Sequence, residues 1–178
     1  MILYFGNMLY HHGYNITTIE ELGPKLNVIY QISLFSNLKN PFFRIIHMVY
    51  GFLRNAKSTS LILIDTYSTK AFYYSLCVGF FSQLFKIPYI PILHGGDLPK
   101  RCHKNPILSR FLFQRSAINI SPSKYLLNNL ISCNIKTLHI PNFINIEQYH
   151  YRLRKSIKPQ LLWVRSFHEI YNPKMAIY

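Results

Sequence analysis

The sequence predicts an α/β domain built on a doubly wound, mainly parallel sheet. Three observations predict it. Short apolar runs recur along the chain without polar alternation, the pattern of strands buried on both faces. Segments of helical period separate these runs, as crossovers between parallel strands require. Several runs end in polar or glycine-containing residues, and the carboxyl edge of such a sheet is where open α/β folds bind ligands.

The first run, Ile2 to Gly6, is read as a strand, followed by a polar loop from Asn7 to Tyr14. Thr17 or Thr18, with an acid three residues on, has the form of a capping box and starts a helix. Val28 to Phe35 is the second strand candidate. Pro41 opens a helix whose apolar side is assigned to Phe42, Ile45, Ile46, Val49, Tyr50 and Leu53, with Arg44 and His47 elsewhere. Leu61 to Ile64 forms a third strand that runs into Asp65-Thr66-Tyr67-Ser68-Thr69. Asp65 is read as closing a turn or capping the next helix in preference to doing chemistry. The greasy segment from Ala71 to Phe85 is interrupted by Ser75, Ser82 and Gln83. It stops at Lys86, short of the roughly 20 residues a membrane span needs, and is read as a buried helix.

The fourth strand, Ile87 to Leu93, delivers His94-Gly95-Gly96-Asp97 to the sheet's edge. The paired glycines suit a sharp turn or a close approach by a ligand, with His94 and Asp97 directed into the crevice; an ordinary turn after the strand is the competing reading. The basic stretch Lys100 to Lys104 is read as a solvated face leading through Pro106 into a helix from Leu108 to Phe113. Ala117 to Ile120 is a short strand, Ser123 caps a helix from Lys124 to Ile131, and Ile135 to Ile140 is the sixth strand. Tyr149 to Pro159 reads as a linker. Leu161 to Val164 is a seventh strand, and a helix starts at Asn172-Pro173-Lys174. The expected organisation is a domain over 1–148, a linker over 149–159, and over 160–178 the truncated start of a second domain.

At 178 residues and 49% hydrophobic content the chain can bury a full core and is not disordered. Twenty Lys and Arg against six Asp and Glu give a net charge of +14, which favours phosphorylated small molecules, nucleic acid or an acidic membrane surface as partners. The acids, Glu20, Glu21, Asp65, Asp97, Glu147 and Glu169, are too scattered for a paired-carboxylate hydrolase. Cys77, Cys102 and Cys133 fit neither a disulfide framework nor a Cys-x-x-Cys metal site, and no metal is expected. With no basic leader ahead of the short apolar start, a cytoplasmic protein is expected, peripheral at the inner face of the membrane. Nucleic acid is the less favoured partner, because the aromatics lie in apolar segments and do not interleave with Lys and Arg.

The order of motifs resembles the amino-terminal half of family 4 glycosyltransferases of the GT-B fold. The residues that carry the resemblance are Ile2 to Asn7, His94-Gly95-Gly96-Asp97, Asn119-Ile120-Ser121-Pro122-Ser123, Ile140-Pro141-Asn142-Phe143-Ile144, and the linker into Leu161-Leu162-Trp163-Val164. It implies a Rossmann-like first half and the first strand of a second, with a nucleotide-sugar donor as substrate and no separate cofactor. The acceptor it implies is a glycan or a lipid-linked molecule, as in cell-surface polysaccharide synthesis. By the same resemblance His94 is the catalytic histidine that contacts the donor sugar. Asn7, His12, Gly13, Gly95, Gly96 and Asp97 approach acceptor and sugar, and Arg165 and Lys174 meet the donor phosphates. The fragment as given is expected to bind donor weakly and to turn over negligibly. A non-catalytic basic module that binds anionic membrane or nucleic acid is the alternative.

Overall fold

In the computed structural model, which describes residues 1–143 together with 153, 156, 162–164, 167 and 169–177, the apolar runs become strands of one sheet. Among the described residues there are six: β1 Ile2–Phe5, β2 Ile32–Phe35, β3 Leu61–Tyr67, β4 Tyr89–His94, β5 Asn119–Ser121 and β6 Thr137–His139. The helices between them are α1 Thr18–Asn27, α2 Pro41–Asn55, α3 Phe72–Leu84, α4 Leu98–Lys104, α5 Pro106–Phe113 and α6 Lys124–Ile131. The strand order is β2-β1-β3-β4-β5-β6, every pair parallel. Right-handed crossovers that first run one way from β1 and then the other must place their helices on opposite faces. Accordingly α1 packs on one face with Tyr4, Leu63 and Ile92, and α2 to α6 pack on the other with Leu3, Phe5, Ile62, Ile64 and Leu93. The fold is Rossmann-like and doubly wound, with its topological switch between β1 and β3.

Register decides which side chains share a face. Tyr4 lies opposite Leu63, Asp65 opposite Ile92 and Tyr67 opposite His94. Partners in a parallel ladder point the same way, so Tyr4, Asp65, Tyr67 and His94 all stand on the face that carries α1.

Local signals account for most element ends. Thr17 and Glu20 form the expected capping box, and Ser123 accepts from the Leu126 N–H at 3.2 Å to cap α6. Asn40 accepts from the Phe42 N–H at 2.9 Å, ahead of Pro41 in the first turn of α2. Four departures from expectation bear on the site and its surroundings. The second strand begins at Ile32, because α1 runs on to Asn27, whose side chain accepts from the Ile32 N–H and leaves Val28 to Tyr30 in an exposed turn. The third strand continues through Asp65, Thr66 and Tyr67, since pairing with β4 supplies hydrogen bonds irrespective of side-chain polarity. The basic stretch from Lys100 is part of helix α4.

The fourth departure is the orientation of α2. Its buried side is Arg44, Met48, Gly51 and Phe52, whereas Phe42 is 68% and Ile46 48% exposed, and Tyr50 and Leu53 also face outward. Its apolar residues cover a broad arc, with Arg44, His47, Arg54 and Asn55 sharing the rest, so its period alone could not say which part of that arc meets the sheet. Packing chose the side with Gly51, where a Cβ would stand 2.3 Å from the Phe35 ring.

The chain divides into two compact units, 1–142 and 143–178. In the second, the expected seventh strand is not formed: Leu162, Trp163 and Val164 have no regular structure. A strand exists only as a hydrogen-bonded member of a sheet, and these residues pair with none among the described residues. Glu169–Tyr171 and Pro173–Ala176 are short 3₁₀ helices, the latter starting after Asn172, where a helix start is expected.

Candidate functional site

The carboxyl ends of β1, β3 and β4 meet beside the switch point, and the polar side chains they deliver form one hydrogen-bonded group. Asp65, 4% exposed, accepts on Oδ1 from the Tyr4 hydroxyl at 2.8 Å and lies 3.0 Å from His94 Nε2. A carboxylate oxygen can only accept, so Nε2 carries the proton, which leaves Nδ1 as the acceptor whenever the ring is neutral. Tyr67 stacks on a face of the imidazole, with ring centroids 5.0 Å apart and planes 27° apart. Between a fixed carboxylate and a fixed ring, His94 keeps one orientation with 12% of its side chain in contact with solvent.

Burial, the charge of Asp65 and the hydrogen bond to it, in that order, push the Tyr4 hydroxyl far above the ordinary tyrosine range. Burial and then the same carboxylate do so for Tyr67. Both phenols are therefore neutral donors at any physiological pH. The second carboxylate oxygen, Oδ2, is buried without a hydrogen-bond partner, and a Cβ at Gly6 would lie 2.8 Å from it. It borders a crevice lined by Gly6, Asn7, Tyr67 and Tyr74, with an internal volume of about 10 Å³. That space admits a hydroxyl-sized group and not a sugar ring, so a larger ligand would lie over the strand ends.

The expected site residues fall into separate groups. Gly95 has φ +96°, and a Cβ there would meet Ser68 Oγ at 2.8 Å, so this glycine is required by both backbone and space. Gly96 is different, because a Cβ would find only the Tyr125 ring at 3.9 Å. Asp97 is exposed at the start of α4, where its backbone carbonyl accepts from the Arg101 N–H without a side-chain cap. Asn7 follows β1, and its side-chain oxygen accepts from Arg44 at 2.9 Å while its carbonyl accepts from the Thr17 hydroxyl at 2.7 Å. His12 donates through Nε2 to the Asn37 carbonyl at 2.9 Å, and Gly13, at φ +82°, closes the 3₁₀ turn that precedes it. These bonds fix the first-strand loop to α1, α2 and the end of β2, while His94 is held by β3. Lys174 is an exposed residue of a 3₁₀ turn in the second unit, and Arg165 lies outside the described residues.

Sequence reasoning misassigned two residues. Asp65 caps nothing: the N-cap of α3 is Ala71, with no side-chain cap, and the carboxylate instead organises Tyr4 and His94. Period-two alternation through Leu61, Leu63, Asp65 and Tyr67 could have placed it on the ligand face once the strand was extended past Ile64. Arg44 is not on a polar side; it is 6% exposed, and its guanidinium donates to Asn7 Oδ1 and to the Leu38 and Lys39 carbonyls over the Tyr74 ring. No signal in the helical period marks it. Arg101 has a comparable role, donating to the Ser68 and Thr69 carbonyls and standing 4.8 Å from the centroid of Phe72, which ties α4 to the loop after β3.

Among the described residues no group of three or more His, Cys, Asp and Glu side chains is arranged to hold a metal, and no helix is long and apolar enough to cross a membrane. Comparison with protein-family models, with curated proteins and with solved structures finds no match to this chain.

Proposed function

We propose that this chain is the acceptor-side domain of a sugar-transferring enzyme of the family 4, GT-B kind, acting between a nucleotide-sugar donor and a glycan or lipid-linked acceptor. The observation that supports it best is the buried Asp65–His94 pair at the carboxyl edge of β3 and β4, beside the topological switch. Ligands of open α/β sheets bind at that place. Glycosyl transfer forms a bond from an acceptor oxygen to the anomeric carbon and breaks the bond to the departing diphosphate. A neutral imidazole held by a carboxylate accepts from a sugar hydroxyl through Nδ1 and fixes the ring against which the acceptor is placed. The departing diphosphate needs positive groups, the role proposed for Arg165 and Lys174. A non-catalytic basic module would leave the orientation of His94 by a buried carboxylate without use.

The test is a heteronuclear NMR titration of the 178-residue chain with a panel of nucleotide-sugars and acceptor glycans. Binding should move the amide signals of Gly6, Asn7, His94 and Gly95. His94→Ala should weaken it about five- to tenfold, what one neutral hydrogen bond contributes, with a melt that is lowered by the loss of a partner for Asp65 but stays cooperative. A panel in which no nucleotide-sugar and no glycan moves those signals would overturn the reading.

A further inference from the structure

The outward side of α2 poses a problem that the site above does not solve. Phe43, Ile46, Tyr50 and Leu53 recur at helical spacing on the side opposite Arg44, Met48 and Phe52, and all four are exposed. Beside it, α3 packs through Phe81 and Phe85 onto Phe52, with ring centroids 5.8 and 5.5 Å apart, and turns Tyr73, Phe80 and Leu84 outward. A helix apolar on both sides belongs in an apolar environment on both sides. Here two neighbouring helices share that property, and a groove of about 410 Å³ lies along α2 between Lys39, Phe43, Ile46 and Tyr50.

Charge indicates what meets this surface. From Leu22 to Ile64 and from Thr66 to Gly96 the chain contains no Asp or Glu. Exposed cations stand at the helix ends: Lys39 before α2, Arg54 and Lys57 at its end, Lys70 before α3 and Lys86 after it. Arg54 donates to the Tyr50 hydroxyl at 2.8 Å, so one cation lies directly against the apolar stripe. An aromatic and aliphatic stripe rimmed by cations, with no carboxylate, is the chemistry of a helix lying in an anionic lipid interface. A second copy is a poor occupant, because it would bring +14 against +14 and these cations against their own counterparts.

We propose that the outward face of α2 and α3 is a docking surface for an anionic bilayer, with Phe43, Ile46, Tyr50 and Leu53 entering the interface and the rim cations meeting lipid phosphates. The inference is independent of the sugar-transfer reading, since it uses no residue of the Asp65–His94 group.

The experiment is vesicle sedimentation of the full chain, with phosphatidylcholine alone and with phosphatidylcholine mixed with phosphatidylglycerol. The variants are Phe43→Glu/Ile46→Glu and, as a control, Lys124→Gln/Lys136→Gln on α6 and the segment before β6. Each pair lowers the net charge by the same two units, so simple attraction to a basic protein affects both alike. Binding should require phosphatidylglycerol, fall with salt, and drop about tenfold or more in the glutamate pair while the control changes it by less than about threefold. Unchanged thermal melts show that both variants are folded. Equal losses in the two pairs would overturn the proposal in favour of general electrostatics. So would a concentration-dependent dimer in sedimentation equilibrium, or oligonucleotide binding, that the glutamate pair abolishes without any binding to vesicles.

Discussion

The glycines after β4 separate two demands that a dipeptide conceals. Gly95 sits at φ +96° against Ser68, so Gly95→Ala combines left-handed strain with a 2.8 Å overlap and should cost about 2 kcal/mol or more. Gly96→Ala meets only an ordinary contact with Tyr125 and should stay within about 0.5 kcal/mol. Denaturant midpoints of the two variants check this, and equal losses would show that the turn is held in some other way. At the same scale, His94 was legible in the sequence because an apolar run ends on it. Its partner Asp65 was not, because the pairing depends on a register between β3 and β4 that sequence does not print.

For the elements, α2 gives the sharpest test. Phe52 packs against Phe5, Phe81 and Phe85, and Phe52→Ala should cost about 3–5 kcal/mol. Ile46, although as apolar, faces outward, and Ile46→Gln should change stability by no more than about 0.5 kcal/mol. Arg44→Leu leaves the Leu38 and Lys39 carbonyls and the Asn7 side chain without their donor and should cost about 2–3 kcal/mol. Urea unfolding of the three variants separates this orientation from the opposite one, in which the ranking of Phe52 and Ile46 would reverse. Caps and helix starts were readable because they are local: Thr17 with Glu20, Asn40 with Pro41, and Ser123 each act within three residues. The end of α1 and the missing strand at Leu162 were not, since a turn after Asn27 and a ladder partner are set by what lies across the chain.

Across the whole molecule, neutral buried groups set the response to alkali. Burial pushes Tyr89 up to about 12, the Cys102 thiol up to about 11, and Tyr4 and Tyr67 beyond the ordinary range. Each folded value exceeds the unfolded one, so the stabilisation is complete below the unfolded pKa, near 9 for the thiol and 10 for the phenols, and is lost as pH rises through the folded values. Stability in urea should therefore decline from about pH 9 and steepen above about 10, and Tyr4→Phe should flatten the steeper part. A flat profile to pH 11 would contradict the burial of these groups. The alternation of strand and helix, the parallel sheet, the strand end at His94 and the cationic excess are legible along the chain, because periodicity, capping and composition are properties of neighbours in sequence. That Asp65 serves His94 and Tyr4, that Arg44 is buried and that α2 turns an apolar side outward emerge only on folding. Those outcomes depend on strand register and on which part of a broad apolar helix surface packs best, and both are settled by contacts between residues far apart in sequence.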